Sequence, residues 1–182
     1  ISLAMDWATA PAPCMLIMHG VSGSGKSWYA GQLLEKFGAI QLRSDIERKR
    51  LYGYCADANT GSAVQAGIYS RSASEKTYAQ LARLAESVIA GGLPVIVDAA
   101  FLRQDERQRF RQLAQSRQVP FVILHLEADE TTLVDRITTR RQLGNDPSEA
   151  GIGVLKSQLA TQQPLLSSEM EDVLSIDTTA AD

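Results

Sequence analysis

The sequence predicts an α/β domain built on a five-stranded parallel sheet. Short apolar runs of strand length alternate with stretches of helical periodicity. A glycine-rich turn joins the first run to the first helix, and an aspartate closes a later run. With 182 residues, 45% hydrophobic and 21% charged, the chain suits one globular domain with one sizeable core. Eighteen basic against 21 acidic residues leave a net charge of −3, so no global positive field would draw it to nucleic acid or lipid headgroups. Cys14 and Cys55 rule out a disulfide-stapled scaffold and suit a reducing, cytoplasmic setting. No apolar run approaches the ~18 residues of a membrane span. Residues 1–13 read as a tail or linker without the basic start and apolar core of a signal peptide. A chain that begins with Ile1 is expected to be a piece of a longer protein.

Met15 to Met18 is continuously apolar, as a central strand covered on both faces should be. The glycine turn follows, then a helix from Lys26 to about Phe37, with Leu33, Leu34 and Phe37 on one face. Ala39 to Leu42 reads as a second strand, and Ser44 as the cap of a short helix over 45–51. From Gly53 to Ser74 the pattern weakens into a partly helical connection. Tyr78, Leu81, Ala82, Leu84, Ala85, Val88 and Ile89 recur at helical spacing, and Gly91, Gly92 and Pro94 stop that helix. Val95 to Val97 forms the third strand, ending at Asp98, and a helix over 104–116 buries Phe110, Leu113 and Ala114. Pro120 to Leu126 is the fourth strand, followed by a helix over 130–143. Asp146, Pro147 and Glu149 read as a helix start, and Val173 to Ile176 as the last strand.

Gly20, Val21, Ser22, Gly23, Ser24, Gly25, Lys26 and Ser27 match G-x-x-x-x-G-K-[ST] at every fixed position, between the required strand and helix. Glycines let the backbone wrap a phosphate and turn successive N–H groups inward. The helix start adds its positive end. Lys26 would bridge two phosphates and the Ser27 hydroxyl would ligate Mg²⁺.

Ligands of open parallel sheets sit beyond the carboxyl ends of the strands, where Asp45 and Asp98 fall. Asp98 has the form of an acid that holds Mg²⁺, directly or through water; read alone, it is a cap on the next loop. Asp45 is placed to take a proton from an attacking hydroxyl; read alone, it is a first-turn acid favoured by the helix dipole. Arg136 and Arg140, one turn apart with Arg141 adjacent, can neutralise a migrating phosphoryl group or can lie on a solvated face paired to Asp135 or Asp129.

The segments GVSGSGKS (20–27), RSDIERKRLYG (43–53), VIVDAAFL (95–102) and LVDRITTRR (133–141) carry a resemblance to the P-loop kinases. That family of small ATP-dependent enzymes includes the kinase half of polynucleotide kinase, the zeta toxins and gluconate-type kinases. The chain looks most like the kinase-like domain often fused behind an aminoglycoside-phosphotransferase-like domain. The resemblance implies a three-layer P-loop NTPase fold over 14–182 with strand order 2-3-1-4-5. It further implies an acceptor region at about 45–75 and an arginine lid at about 129–147. By the same resemblance Asp45 and Arg48 correspond to a base and a substrate-binding arginine, Arg136 and Arg140 to a lid pair, and Thr178 and Thr179 lie where adenine is contacted. The acceptor segment GYCADANTGSAVQAGIYSRSAS matches no sugar, nucleoside or antibiotic pocket.

The function expected is ATP- and Mg²⁺-dependent phosphorylation of a hydroxyl on a small-molecule or nucleotide-like acceptor, with a fused N-terminal domain in the full-length protein. A non-catalytic ATP-binding regulatory module and a polynucleotide 5′-hydroxyl kinase are the alternatives. Net acidity and the lack of a basic groove with interleaved aromatics argue against the last. Arg103, Arg107 and Arg111, near Arg109 and Arg117, are expected to form a solvated outer face. His19 and His125 read as isolated core histidines, and Tyr52, Tyr54 and Tyr69 as candidate acceptor-pocket residues or packing of the long connection.

Overall fold

The computed structural model describes residues 12–56, 58, 67–143, 148 and 150–179. Its elements are β1 (Met15–His19), α1 (Lys26–Phe37), β2 (Ile40–Arg43), α2 (Ser44–Leu51), α3 (Arg71–Ala90), β3 (Val95–Asp98), α4 (Gln104–Ser116), β4 (Phe121–Glu127), α5 (Glu130–Leu143), α6 (Ile152–Thr161) and β5 (Val173–Asp177). Short 3₁₀ turns lie at Gly67–Tyr69 and Ser167–Asp172. All five strands are parallel, in the order β2-β3-β1-β4-β5. Among the described residues no helix is long and apolar enough to cross a membrane.

The continuous apolarity of β1 follows from its central place. Met15 and Ile17 face Tyr78, Leu81, Ala85, Phe110 and Ala114 from α3 and α4. Leu16 and Met18 face Ala30 and Leu33 of α1 on the other side. Full burial of one such side chain contributes about 1.5–3 kcal/mol relative to exposure. A third cluster joins Val21 of the glycine loop to Leu133 and Ile137 of α5 and Leu155 of α6, so the two last helices pack on the loop itself.

Several expectations shift. Ser44 is not a cap: it is the first residue of α2, and Arg43 occupies the cap position without a side-chain bond. The third helix begins at Arg71, earlier than the apolar periodicity indicates, because the Ser70 hydroxyl accepts from the Ala73 N–H. The helix start read at Asp146, Pro147 and Glu149 lies outside the described residues, and α6 opens at Ile152.

Arg107 is not on a solvated face: it is fully buried, with Nε 2.7 Å and Nη2 2.9 Å from the Glu169 carboxylate. Its remaining donors reach the carbonyls of Phe101, Gln163 and Pro164. Arg111, one turn on, holds the Ser168 carbonyl and Asp172. Together they fasten the chain between α6 and β5 across α4. The histidines are also not isolated. His19 and His125 are register partners in β1 and β4, and their Nδ1 atoms lie 2.8 Å apart. Burial, then the nearby His125, Arg107 and Lys26, pushes the His19 pKa down to about 3, so the ring is held neutral.

Candidate active site

The loop between β1 and α1 folds as the motif requires. Gly20 has φ 148° and Gly23 has φ 87°, values that L side chains rarely adopt. A Cβ on Gly20 would overlap the Leu126 carbonyl oxygen, and one on Gly23 would lie 2.8 Å from the Leu133 carbonyl oxygen. Glycine is therefore needed at both places, for the turn and for the close approach of β4 and α5. The Gly20 N–H donates to Ala100 O at 3.1 Å, which ties the loop to the chain leaving β3.

Lys26 opens α1 and curls back over the loop, with Nζ 2.6 Å from Val21 O and 3.4 Å from Ser24 Oγ. Its amine is withdrawn from water, and this burial, with Arg140 nearby, lowers its pKa to about 8 against the opposing pull of Asp98 and Asp45. Three charged groups that the sequence assigned to the chemistry, Asp98, Arg140 and Asp45, thus act on one amine. Ser27, next in the helix, donates its hydroxyl to the Asp98 carboxylate.

Asp98 ends β3 and is 5% exposed. Burial pushes its pKa up, opposed by the Ser27 bond and by Lys26 and Arg43. Gln41 and Arg43 alternate onto the same face of β2, and Arg43 is the register partner of Asp98. Gln41 Nε2 donates to Asp98 Oδ2 at 3.1 Å, and Arg43 Nε lies 3.9 Å from the same oxygen. Asp45 stands two residues past β2 and is gripped by Arg43 through Nη2 at 2.8 Å and Nε at 3.3 Å. Gln41 and Arg43 escaped the sequence reading, although the period-2 alternation of a strand ending beside Asp98 was a usable signal.

The remaining predicted residues separate. Arg140 is held by Ala150 O at 2.6 Å and is close enough to Lys26 to act on its charge. Arg136 instead turns to Thr178, donating to its hydroxyl at 3.0 Å and its carbonyl at 2.7 Å. Thr178 is buried and donates to the Ser24 carbonyl, so Arg136 braces the end of β5 against the loop. Arg48 is 8% exposed, donates to Ile68 O and Ser74 Oγ, and lies over the Tyr69 ring. It fastens α2 to α3. Tyr52 and Tyr54 are exposed. Beside Arg48, the ring of Tyr78 approaches Glu106, whose carboxyl burial lifts to a pKa of about 7.

The Ser27 hydroxyl and Asp98 carboxylate form an all-oxygen donor pair at the helix start, and such hard donors suit Mg²⁺. Among the described residues there is no group of three or more His, Cys, Asp or Glu side chains placed to hold a metal ion.

A family model described as an AAA domain matches residues 15–165. Uncharacterized proteins of Mycobacterium bovis and Mycobacterium tuberculosis are each 28% identical over 138 residues, 76% of this chain and 28% of theirs. The chain thus spans just over a quarter of the length of these curated relatives. A gluconokinase from Sinorhizobium meliloti superposes with a TM-score of 0.64 at 20% identity, covering 95% of this chain and 86% of that one. A sugar kinase from a Janibacter species gives 0.63 at 20% identity, covering 91% and 85%. A presumed kinase of Chloroflexus aurantiacus gives 0.67 at 20% identity, covering 93% and 90%. At this identity the likeness is one of fold, and it agrees with the strand order and loop described above. The chain belongs to the AAA domain family and has the P-loop kinase fold.

Proposed function

We propose that this domain transfers the γ-phosphoryl group of ATP to a hydroxyl of a small-molecule or nucleotide-like acceptor. The observation that carries the reading is the meeting of four roles around one loop: an anion cradle, a lysine, an oxygen donor pair and a carboxylate beyond β2. A binding module without transfer needs no Asp45 fixed beside the loop.

The backbone of Gly20 to Ser27 would hold the phosphate chain, with Lys26 leaving Val21 O for the phosphate oxygens. Ser27 and Asp98 would hold Mg²⁺, which when bound neutralises charge on the phosphates. Asp45 would take the acceptor proton as the acceptor oxygen bonds to the γ-phosphorus and the bond to the β–γ bridging oxygen breaks, releasing ADP. Arg140 would face the charge that develops on the transferring group. Arg48 supports the acceptor side by fixing α2, which carries Asp45, against α3.

Incubation with γ-labelled ATP, Mg²⁺ and a panel of polyols, sugars, nucleosides and aminoglycosides tests the reading. Label is expected in one acceptor class with wild-type chain and in none with Asp45→Asn. Mg²⁺-dependent nucleotide binding with no transfer to any acceptor would favour the regulatory module instead.

A further inference from the structure

One loop N–H is already occupied. Ser22 N donates to the side-chain oxygen Oε1 of Gln158 at 2.8 Å, across 136 residues of sequence. The partner must be the carboxamide oxygen, since an N–H can donate only to an acceptor. That fixes which end of the carboxamide is which. Its Nε2 group donates to nothing among the described residues. Covalent geometry then keeps two unused donors within about 5 Å of an N–H in a loop whose motif is that of a phosphate cradle.

Gln158 does not reach the loop by chance. Leu155, one turn earlier on α6, is 1% exposed and packs on Val21 of the loop, while Leu159 joins the same cluster. Residues 155, 158 and 159 share one helix face, and that face lies against the loop. The start of α6 is tied to Arg140 through Ala150, and the chain after it is tied to the turn following β3, where the Gln163 N–H donates to Leu102 O. The helix is therefore held at both ends with Gln158 aimed at the loop.

We propose that Gln158 is a phosphate-binding residue supplied by α6, its oxygen anchored on the Ser22 N–H and its Nε2 group donating to the phosphate chain of bound nucleotide. This rests on the nucleotide reading above and adds to it a group that the glycine-loop motif does not contain. Bonds from a neutral donor to a charged acceptor in a withdrawn site are strong enough for the loss to be measured.

Two variants separate donation to phosphate from mere tethering. Gln158→Glu keeps an oxygen for the Ser22 N–H but removes both donors and adds a negative charge. Gln158→Leu removes oxygen and donors without adding charge. Binding of a β,γ-imido ATP analogue with Mg²⁺ to the full chain is measured by calorimetry, with melting temperature as the control on folding. Both variants are expected to lose affinity by about tenfold or more, Gln158→Glu the more severely, at a melting temperature near that of wild type. Wild-type affinity in Gln158→Glu with weakened Gln158→Leu would reduce the residue to a tether and overturn the assignment. Wild-type affinity in Gln158→Leu would overturn it as well, since the donors would contribute nothing. Absence of binding in the wild-type chain itself would overturn the nucleotide reading and the assignment with it, which is a separate result from either.

Discussion

Arg43 holds Asp45 by a forked contact, Nη2 to Oδ2 at 2.8 Å and Nε to Oδ1 at 3.3 Å, while the same guanidinium lies 3.9 Å from Asp98. One arginine at the end of β2 thus sets the spacing of the two carboxylates proposed for proton removal and metal binding. The Asp45 carboxylate is also oriented from its own helix, since Oδ1 accepts the Ile46 N–H at 2.9 Å.

Asp45→Asn should therefore abolish transfer while sparing nucleotide affinity, because the amide keeps the shape but cannot accept the acceptor's proton. A loss of about 100-fold or more in kcat is expected for a general base. Arg43→Lys should recover little of what Arg43→Ala loses, as a point charge cannot fork onto both carboxylate oxygens. Single-turnover kinetics with calorimetry checks both; unaltered turnover in Asp45→Asn would remove it as the base.

Lys26 gives up its proton near pH 8 in the free protein, and bound phosphates favour its charged form. Affinity for Mg²⁺-nucleotide should be highest below about pH 8 and fall above it, by about tenfold per pH unit well beyond that value. Lys26→Arg should flatten the profile. For stability the sign is opposite: the unfolded chain binds more protons above pH 8, so this group favours folding as pH rises through that window.

Asp98→Asn should raise the Mg²⁺ concentration needed for half-maximal activity and leave metal-free nucleotide binding close to wild type. Titration of Mg²⁺ at fixed ATP reads this directly. Equal loss of nucleotide binding with and without the metal would make Asp98 a structural support for Ser27 and β2.

Arg107→Met leaves the Glu169 carboxylate buried and strips the bonds on three carbonyls, so a cost of about 3–5 kcal/mol is expected in urea unfolding. Burial works against the Glu169 carboxylate, yet its bonds to Arg107 and the Leu166 N–H hold its pKa below the usual glutamate value. Its contribution is present above that usual value and is lost as pH falls through the lowered one. The Arg107→Met, Glu169→Met pair should recover part of the loss, since no buried charge remains.

Much of the fold was legible because its signals are local. The bounds of α4 and α5 follow from helical periodicity, and the glycine loop from spacing alone. The strand order matches the resemblance, which carries long-range information that no short window holds. What escaped the reading is what depends on distant pairing. Arg107 looks solvated beside Asp105 and Glu106, and only Glu169, 62 residues on, explains its burial. His19 and His125 pair because β1 and β4 run in register, a relation set by the sheet. Ser44 fails as a cap because α2 starts straight from β2, with no turn for a cap to close. Gln158 carries no motif at all; its role appears only when α6 lies against the loop.

A crystal structure of the chain with Mg²⁺ and the β,γ-imido analogue decides whether the loop after β1 is a nucleotide cradle. The triphosphate is expected to lie wrapped by the backbone of Gly20 to Ser27, with Lys26 Nζ moved from the Val21 carbonyl onto phosphate oxygens. Nucleotide seated elsewhere, with Lys26 still on Val21 and the loop closed by its own side chains, would contradict it.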